Sequence, residues 1–151
     1  MTDWMKEALR LAERAAAEDE VPVGAVVVQG DRVVGRGYNQ RETRQSPIAH
    51  AEILAIDEAS RNLGTWRLVG ATLFVTLEPC PMCLAALQQA RIDAVIYGAS
   101  DPKGGAISLG YLLHEDLRTN HRFAARFEPS HDCGEILTKF FRQKRQGSTR
   151  T

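Results

Sequence analysis

The feature that most constrains the fold is an alternation of short β-rich runs with segments of helical periodicity along the chain. Two β-rich runs, residues 23–29 and 32–38, flank Gly30-Asp31, a two-residue connection typical of an antiparallel hairpin. Strands and helices then follow one another, which is typical of a sheet covered by helices on both faces. We therefore predict an α/β fold, a three-layer α/β/α sandwich with a central mixed five-stranded sheet.

Local signals place the individual helices. Asp3 can cap a helix over residues 4–17, and Pro47 introduces a helix over residues 49–63 that ends at Gly64. Pro81 suits the first turn of a helix over residues 81–90, because the missing N–H of proline is not needed there. The other expected elements are strands over residues 71–77, 94–98 and 123–127, a short helix over 109–114 and a terminal helix from about Cys133.

Length and composition indicate one domain. A chain of 151 residues can bury a substantial core, and it shows no repeat, low-complexity segment or linker. We expect a single domain over residues 1–151, with a basic terminal helix and tail from about residue 133. Its apolar runs are far shorter than the ~20 residues of a membrane helix, and charged residues stand where a signal peptide would be apolar. These features predict a cytoplasmic protein without a membrane segment.

Charge is unevenly distributed, although the chain has 19 basic and 19 acidic residues. Zero net charge argues against a general nucleic-acid coat protein. Residues 136–151, however, contain no acidic side chain and five basic ones, Lys139, Arg142, Lys144, Arg145 and Arg150. This basic end is either a phosphate-binding patch or a solvated terminus, and charge alone does not choose between them.

Two cysteines and one histidine have the spacing of a metal site. Cys80 and Cys83 lie one turn apart at the start of a predicted helix, so both thiols face one side and can share a tetrahedral cation. His50 begins the preceding helix, and an α/β sheet collects helix N-termini at the carboxyl edge of its strands. We predict zinc at these three residues, whereas Cys133 is expected to be an ordinary buried cysteine.

Three obvious ligands leave a fourth position for water, as in catalytic rather than structural zinc sites. Glu52 follows His50 by two residues, a spacing that favours a carboxylate beside the metal over a fourth ligand, provided that the site lies at an irregular first turn. Zinc lowers the pKa of bound water to about 7, and a nearby carboxylate can take and deliver its proton. The pattern therefore indicates metal-assisted hydrolysis.

The segments His50-Ala51-Glu52 and Pro79-Cys80-Pro81-Met82-Cys83 resemble the H-x-E…P-C-x-x-C signature of the cytidine/deoxycytidylate deaminase superfamily. Within it, further segments resemble the bacterial tRNA-specific adenosine deaminases: Val21-Pro22-Val23-Gly24-Ala25, Tyr38-Asn39, Thr76-Leu77-Glu78, Asp101-Pro102-Lys103-Gly104-Gly105, Asn120-His121-Arg122 and Phe140-Phe141-Arg142. The resemblance spans residues 21–142 and implies a cytidine deaminase-like fold.

The resemblance implies one zinc ion per subunit, on His50, Cys80 and Cys83, with Glu52 as the proton shuttle. The implied reaction is hydrolytic deamination of adenosine to inosine at the wobble position of a tRNA anticodon. The implied substrate contacts come from Asn39, Ala51, Asp101, Lys103, Asn120, Phe141, Arg142 and Arg145. A homodimer is also implied, with Leu84, Ala85 and Leu87 at its interface, and neither DNA nor a membrane is expected as a partner.

Two other functions remain open. The segment after the second cysteine, Leu84-Ala85-Ala86, resembles bacterial guanine deaminases about as well, which allows a free-base purine or pyrimidine deaminase with the same zinc chemistry. A zinc-stabilised RNA-binding module without activity would need a fourth protein ligand and no role for Glu52. The stretch over residues 106–110 is one residue shorter than the family pattern, whereas the Asp101 loop, Asn120 and the basic end favour RNA.

Burial expectations complete the prediction. Phe140 and Phe141 are adjacent on a helix, so we expect Phe140 to face the core and Phe141 to face outward, near RNA. The second helix is expected to carry Ile53, Ile56, Ala59 and Leu63 on one side. Trp4 and Trp66 are expected in the core, and His114, His121 and His131 at the surface or in caps.

Overall fold

The computed structural model describes residues 2–148; Met1 and residues 149–151, including Arg150 of the basic tail, lie outside the described range. The helices are α1 (Trp4–Ala17), α2 (Arg41–Arg44), α3 (Ala51–Leu63), α4 (Pro81–Gln89) and α5 (Cys133–Ser148). The strands are β1 (Gly24–Gln29), β2 (Arg32–Tyr38), β3 (Ala71–Val75), β4 (Ala94–Tyr97) and β5 (Ala124–Phe127).

The five strands form one mixed sheet in the order β2-β1-β3-β4-β5. Strand β1 pairs antiparallel with β2 and β3, while the pairs β3–β4 and β4–β5 are parallel. Gly30 adopts a φ of 65° in the hairpin turn, a conformation that glycine enters without steric cost. The mixed five-stranded sheet predicted from the sequence is confirmed, and the carboxyl ends of β3 and β4 share one edge.

Helices cover both faces of the sheet, which confirms the three-layer sandwich. On one face Met5 and Ala8 of α1 and Cys133 of α5 pack with Val26 and Val28 of β1. The other face packs against α3 and α4 and holds the larger core cluster, whose fully buried members include Leu73, Leu84, Leu87 and Val95. Asp3 caps α1 as predicted, because its carboxylate accepts a hydrogen bond from the Lys6 backbone N–H at 3.1 Å.

Helix α3 lies unusually close to strand β2. A β-carbon at Gly37 would overlap the Ala51 carbonyl, and one at Gly35 would overlap the Ala55 carbonyl. Because this approach leaves room only for small side chains, the fully buried apolar residues of α3 are Ala51, Ala55 and Ala59. The side of α3 predicted to be apolar is only partly buried: Ala59 is fully buried, and Ile56 and Leu63 pack at the edge of the core.

Three predictions are wrong. No helix forms over residues 109–114, where the chain makes a series of turns. His114 is buried, with Phe123 packed beside it, whereas Trp66 is 54% exposed. Helix α2 follows β2 without a local sequence signal. Contacts with distant parts of the chain shape two of these segments, since Glu20 accepts hydrogen bonds from α2 and Gln88 donates one to the Leu113 carbonyl.

The expectation that Leu84 and Leu87 lie at a subunit interface is also wrong. Leu84 and Leu87 are fully buried in the core of their own chain, so they are not available to a second copy. Within residues 2–148, no helix has the length and apolar character needed to cross a membrane.

Candidate active site

His50 and Cys80 occupy equivalent positions at the starts of two neighbouring helices. Each is the N-cap residue, His50 of α3 with φ −80° and ψ 152°, and Cys80 of α4 with φ −71° and ψ 170°. Pro81 takes the first helical position of α4, as predicted, and Cys83 follows one turn after Cys80. Because the caps have extended backbone, the site lies at the irregular first turn that the His-x-Glu spacing requires.

The three predicted ligands converge. The candidate ligand atoms of His50, Cys80 and Cys83 lie within 4.8 Å of one another. The His50 Nδ1 atom is 3.6 Å from Cys80 Sγ and 3.4 Å from Cys83 Sγ. Tetrahedral ligands at zinc–nitrogen and zinc–sulfur bond lengths are about 3.5 Å apart. The residues therefore fit a zinc ion with no rearrangement of the helices that carry them.

The electrostatics of the cluster favour the thiolate form of Cys80. A hydrogen bond with Cys83, together with one from the His50 ring, outweighs burial and lowers the pKa of the Cys80 thiol to about 4. The hydrogen bond with Cys80 also raises the pKa of His50, and the bond to Cys80 together with burial raises the pKa of the Cys83 thiol. Thiolate is the form of cysteine that binds metals.

Glu52 lies beside this cluster without joining it. Its side chain is buried, and burial, assisted by the neighbouring Cys80, raises the pKa of the Glu52 carboxyl to about 7. Within residues 2–148, the ligand cluster consists of His50, Cys80 and Cys83 alone. A carboxyl group with a pKa near the working pH is suited to accept a proton and return it. The arrangement is that of three candidate metal ligands with a buried carboxyl group beside them.

A cavity of about 200 Å³ opens onto the cluster and is lined by Asn39, Ala51, Glu52, Cys80 and Asp101, among others. It is smaller than the 300–1,000 Å³ of pockets for drug-sized ligands, so it suits one small planar group. Larger grooves lie between α1 and α5, about 580 Å³, and across α3 and α4, about 770 Å³. Neither contains a ligand residue or Glu52, so the smaller cavity is the candidate active site.

The predicted substrate residues divide into two groups. Asn39 and Asp101 line the cavity together with Ala51. The Asn39 amide donates to the Val21 carbonyl at 3.1 Å, and the Asp101 carboxylate accepts from the Gly104 N–H at 3.0 Å, so both side chains also brace loops. The other predicted residues are exposed outside the cavity: Lys103, Asn120, Phe141, Arg142 and Arg145.

Sequence reasoning missed two buried carboxylates near the cavity. Glu20 accepts hydrogen bonds from the backbone N–H of Glu42 at 3.0 Å and from the Thr43 N–H and hydroxyl at 2.7 and 2.6 Å. Glu78 accepts three bonds from the loop after β4. The available signal was an acidic residue beside apolar ones, since Glu20 precedes Val21-Pro22 and Glu78 follows Leu77.

Comparison with known proteins gives a consistent result. A family model described as MafB19-like deaminase matches residues 1–145. The chain is 48% identical over 144 residues to a tRNA-specific adenosine deaminase of Bacillus subtilis, covering 95% of this chain and 89% of the relative. It is 44% identical over 143 residues to a tRNA-specific adenosine deaminase of Aquifex aeolicus, covering 94% of both chains.

Solved structures agree with the sequence relatives. One from a study of A-to-I editing by tRNA:A34 deaminases at the wobble position has a TM-score of 0.82 and 43% identity, covering 89% of this chain and 98% of that chain. A guanine deaminase from Bacillus subtilis has a TM-score of 0.65 and 30% identity, covering 96% of this chain and 95% of that chain. The similarity is thus greater to the tRNA deaminase structure.

Proposed function

The chain belongs to the MafB19-like deaminase family and, among deaminases, to the tRNA-specific adenosine deaminases, and from this premise we propose that it makes inosine at the wobble position of a tRNA anticodon, with zinc as its cofactor. The observation that carries the proposal is the open cluster of His50, Cys80 and Cys83 beside the buried Glu52, at a cavity sized for one nucleobase.

The donor set fits zinc, since one imidazole and two thiols lie at tetrahedral separations. When bound there, zinc supplies Lewis-acid activation of the attacking water. Glu52 accepts a proton from the attacking water and delivers it to N1 of the adenine. It then takes the remaining proton of the hydroxyl group added at C6 and passes it to the leaving amino group. Water and adenosine become inosine and ammonia, and a pKa of about 7 lets Glu52 gain and release the proton near neutral pH.

The surrounding residues act on the substrate in two zones. In the cavity, Asn39 and Ala51 hold the base while Asp101 shapes the entrance. Outside it, Lys103, Asn120 and the exposed residues of α5, Phe141, Arg142 and Arg145, contact the anticodon stem-loop. Single-stranded loops are the usual targets of selective RNA recognition, because their bases can be splayed out and stacked on aromatic side chains.

Two other functions have weaker support. A free-base guanine deaminase shares the fold and the zinc chemistry, but the similarity to it is lower than that to the tRNA deaminase structure. A zinc-stabilised binding module would close the site with a fourth protein ligand. Over residues 2–148 the cluster contains three such side chains, and Glu52 is not among them.

We further propose a cytoplasmic homodimer. The supporting feature is an apolar groove of about 770 Å³ across α3 and α4, which includes Ile48, Ile53, Trp66 and Ala86. Ile48 is 56% exposed, and exposed apolar patches of this kind mark protein interfaces. The proposed occupant is a second copy of the chain.

Inosine formation on an anticodon stem-loop with adenosine at the wobble position tests the catalytic assignment. We expect Glu52→Gln to keep its zinc but lose roughly 10²- to 10⁴-fold in kcat, because the proton carrier is removed. Cys83→Ala should lose both zinc and activity. Glu13→Gln, an exposed carboxylate of helix α1 outside the candidate site, is the matched control and should remain active. A fully active Glu52→Gln would contradict the mechanism.

A further inference from the structure

Glu78 is a buried carboxylate, and both of its oxygens accept hydrogen bonds from one loop that is distant in sequence. The side chain is 3% exposed. Its Oε1 atom accepts hydrogen bonds from the Asp101 backbone N–H at 3.1 Å and from the Ser108 hydroxyl at 2.7 Å. Its Oε2 atom accepts from the Ser108 backbone N–H at 2.8 Å. One carboxylate therefore holds both ends of the segment over residues 101–108.

The loop fits tightly over this carboxylate. A β-carbon at Gly105 would overlap the Glu78 carboxylate, so a larger residue at this position would displace the carboxylate from its hydrogen bonds. The Gly105 N–H donates to the Asp101 carbonyl at 2.8 Å, and the Ala106 N–H donates to the Pro79 carbonyl at 2.8 Å. The short stretch over residues 106–110 thus still delivers Ser108 to Glu78, although its sequence departs from the family pattern.

The loop is also a wall of the candidate active site. Asp101 and Gly104 line the same cavity as Glu78, Cys80 and Glu52. Glu78 precedes the ligand Cys80 by two residues, so it links the metal-binding turn directly to this wall. A shift of the loop would change the cavity while leaving the three ligands in place.

We propose that Glu78 is a positioning residue: it fixes the loop of residues 101–108 against the metal-binding turn and thereby increases the affinity for the RNA substrate. This proposal rests on the function proposed above. Glu78 acts through the loop, since the hydrogen bonds of both its oxygens go to Asp101 and Ser108. Its removal should therefore weaken substrate binding more than the chemical step.

The test is steady-state inosine formation on the stem-loop, normalised to bound zinc. Glu78→Gln keeps the side-chain volume but turns an amide NH₂ towards backbone or hydroxyl donors. We expect KM to rise roughly tenfold or more, because hydrogen bonds to a charged acceptor are lost, with kcat per zinc changed by less than about threefold. Ser108→Ala should raise KM less than Glu78→Gln does. In the Glu78→Gln background it should cause little further rise in KM, because both changes disrupt one hydrogen-bond network.

Asp93→Asn is the matched control. The Asp93 carboxylate accepts from the Gly70 backbone N–H at 3.0 Å, at the opposite ends of the same two strands, β3 and β4. Its loss should lower the melting temperature and leave KM unchanged. A Glu78→Gln protein with reduced stability but wild-type KM would overturn the positioning role alone. Wild-type protein that makes no inosine on the stem-loop would overturn the proposed function, and the substrate role of Glu78 with it.

Discussion

Two buried glutamates near the cavity show how hydrogen-bond donors decide what a carboxylate does. Burial raises the pKa of Glu52 to about 7, and the hydrogen bonds it accepts do not offset that effect. Burial acts on Glu20 in the same direction, but hydrogen bonds from Thr43 and Glu42 outweigh it and hold the Glu20 pKa below its ordinary value. Glu52 therefore has a pKa suited to proton exchange near neutral pH, whereas Glu20 stays ionised and holds α2 through its hydrogen bonds.

Replacing Glu20 by glutamine should destabilise the fold in a pH-dependent way. Near pH 7 we expect a loss of about 1–3 kcal/mol in the free energy of unfolding, because backbone N–H groups lose a charged acceptor. Since the folded-state pKa lies below the ordinary 4.5, the stabilisation is present above that value and disappears as the pH falls through the folded-state pKa.

Urea unfolding of wild type and Glu20→Gln at several pH values measures this effect. The stability gap between the two proteins should be widest near neutral pH and should narrow in acid. A gap that is constant with pH, or that widens in acid, would show that the charge of Glu20 is not what anchors α2.

At the scale of elements, the position of His50 and Glu52 depends on how closely α3 approaches β2. Gly37→Ala should destabilise the fold by about 1–3 kcal/mol or more, because the added methyl group would overlap the backbone of α3. Zinc affinity should fall as well, since α3 carries His50 at its start. Thermal unfolding and zinc competition with a chelator measure the two effects.

Gly134→Ala is the control for this prediction. A β-carbon there would meet only the Ala99 side chain, at 3.8 Å, and the residue lies in helix α5. Alanine should therefore be neutral or stabilising by up to about 1 kcal/mol. Wild-type stability and zinc affinity in Gly37→Ala would show that the close packing of α3 on β2 is not required.

Helix α5 places a buried residue next to an exposed one for which we propose a contact with RNA. Phe140 is buried and Phe141 is 44% exposed, as predicted from their positions. Phe140→Ala should lower the free energy of unfolding by about 3 kcal/mol. Phe141→Ala should leave stability nearly unchanged and weaken stem-loop binding roughly tenfold, through the loss of a stacking surface. Fluorescence anisotropy measures the affinity, and wild-type binding by Phe141→Ala would assign the contact to another element.

Sequence predicted the elements that carry their own signals. Asp3 indicates the start of α1, Gly30-Asp31 indicates the hairpin and Pro81 indicates the start of α4. These signals are readable in the sequence because caps and turns depend on residues only a few positions apart. Helix α2 was missed because its backbone N–H groups are satisfied by Glu20, 22 and 23 residues earlier in the chain. The turns that replace the helix expected over residues 109–114 are anchored by Gln88, whose amide donates to the Leu113 carbonyl at 2.8 Å.

In the candidate site, too, residues with local signals were predictable and residues that depend on distant contacts were not. His50, Cys80 and Cys83 follow from spacing and from the rule that helix N-termini collect at one sheet edge. Glu78 lies within a motif that is recognisable in the sequence. Its hydrogen-bond partner Ser108 is 30 residues away, so the proposed positioning role could not be predicted without the structure.

At the scale of the whole molecule, the apolar groove across α3 and α4 predicts association of two copies. Trp66→Glu places a charge in the groove and should convert the dimer to a monomer, as measured by light scattering. Leu117→Glu is the control, because Leu117 is exposed outside the groove. A monomeric wild-type protein, or a dimeric Trp66→Glu variant, would contradict the proposed interface.

The whole molecule also bears on the substrate class. Free bases would need only the cavity of about 200 Å³. Beyond it lie exposed polar and basic residues: Lys103, Asn120, Lys139, Arg142 and Arg145. The most direct test compares kcat/KM for inosine formation on the anticodon stem-loop with ammonia release from free guanine, using zinc-loaded protein and Glu52→Ala as the blank. The account predicts inosine in the RNA and no reaction with guanine; guanine deamination with the RNA untouched would contradict it.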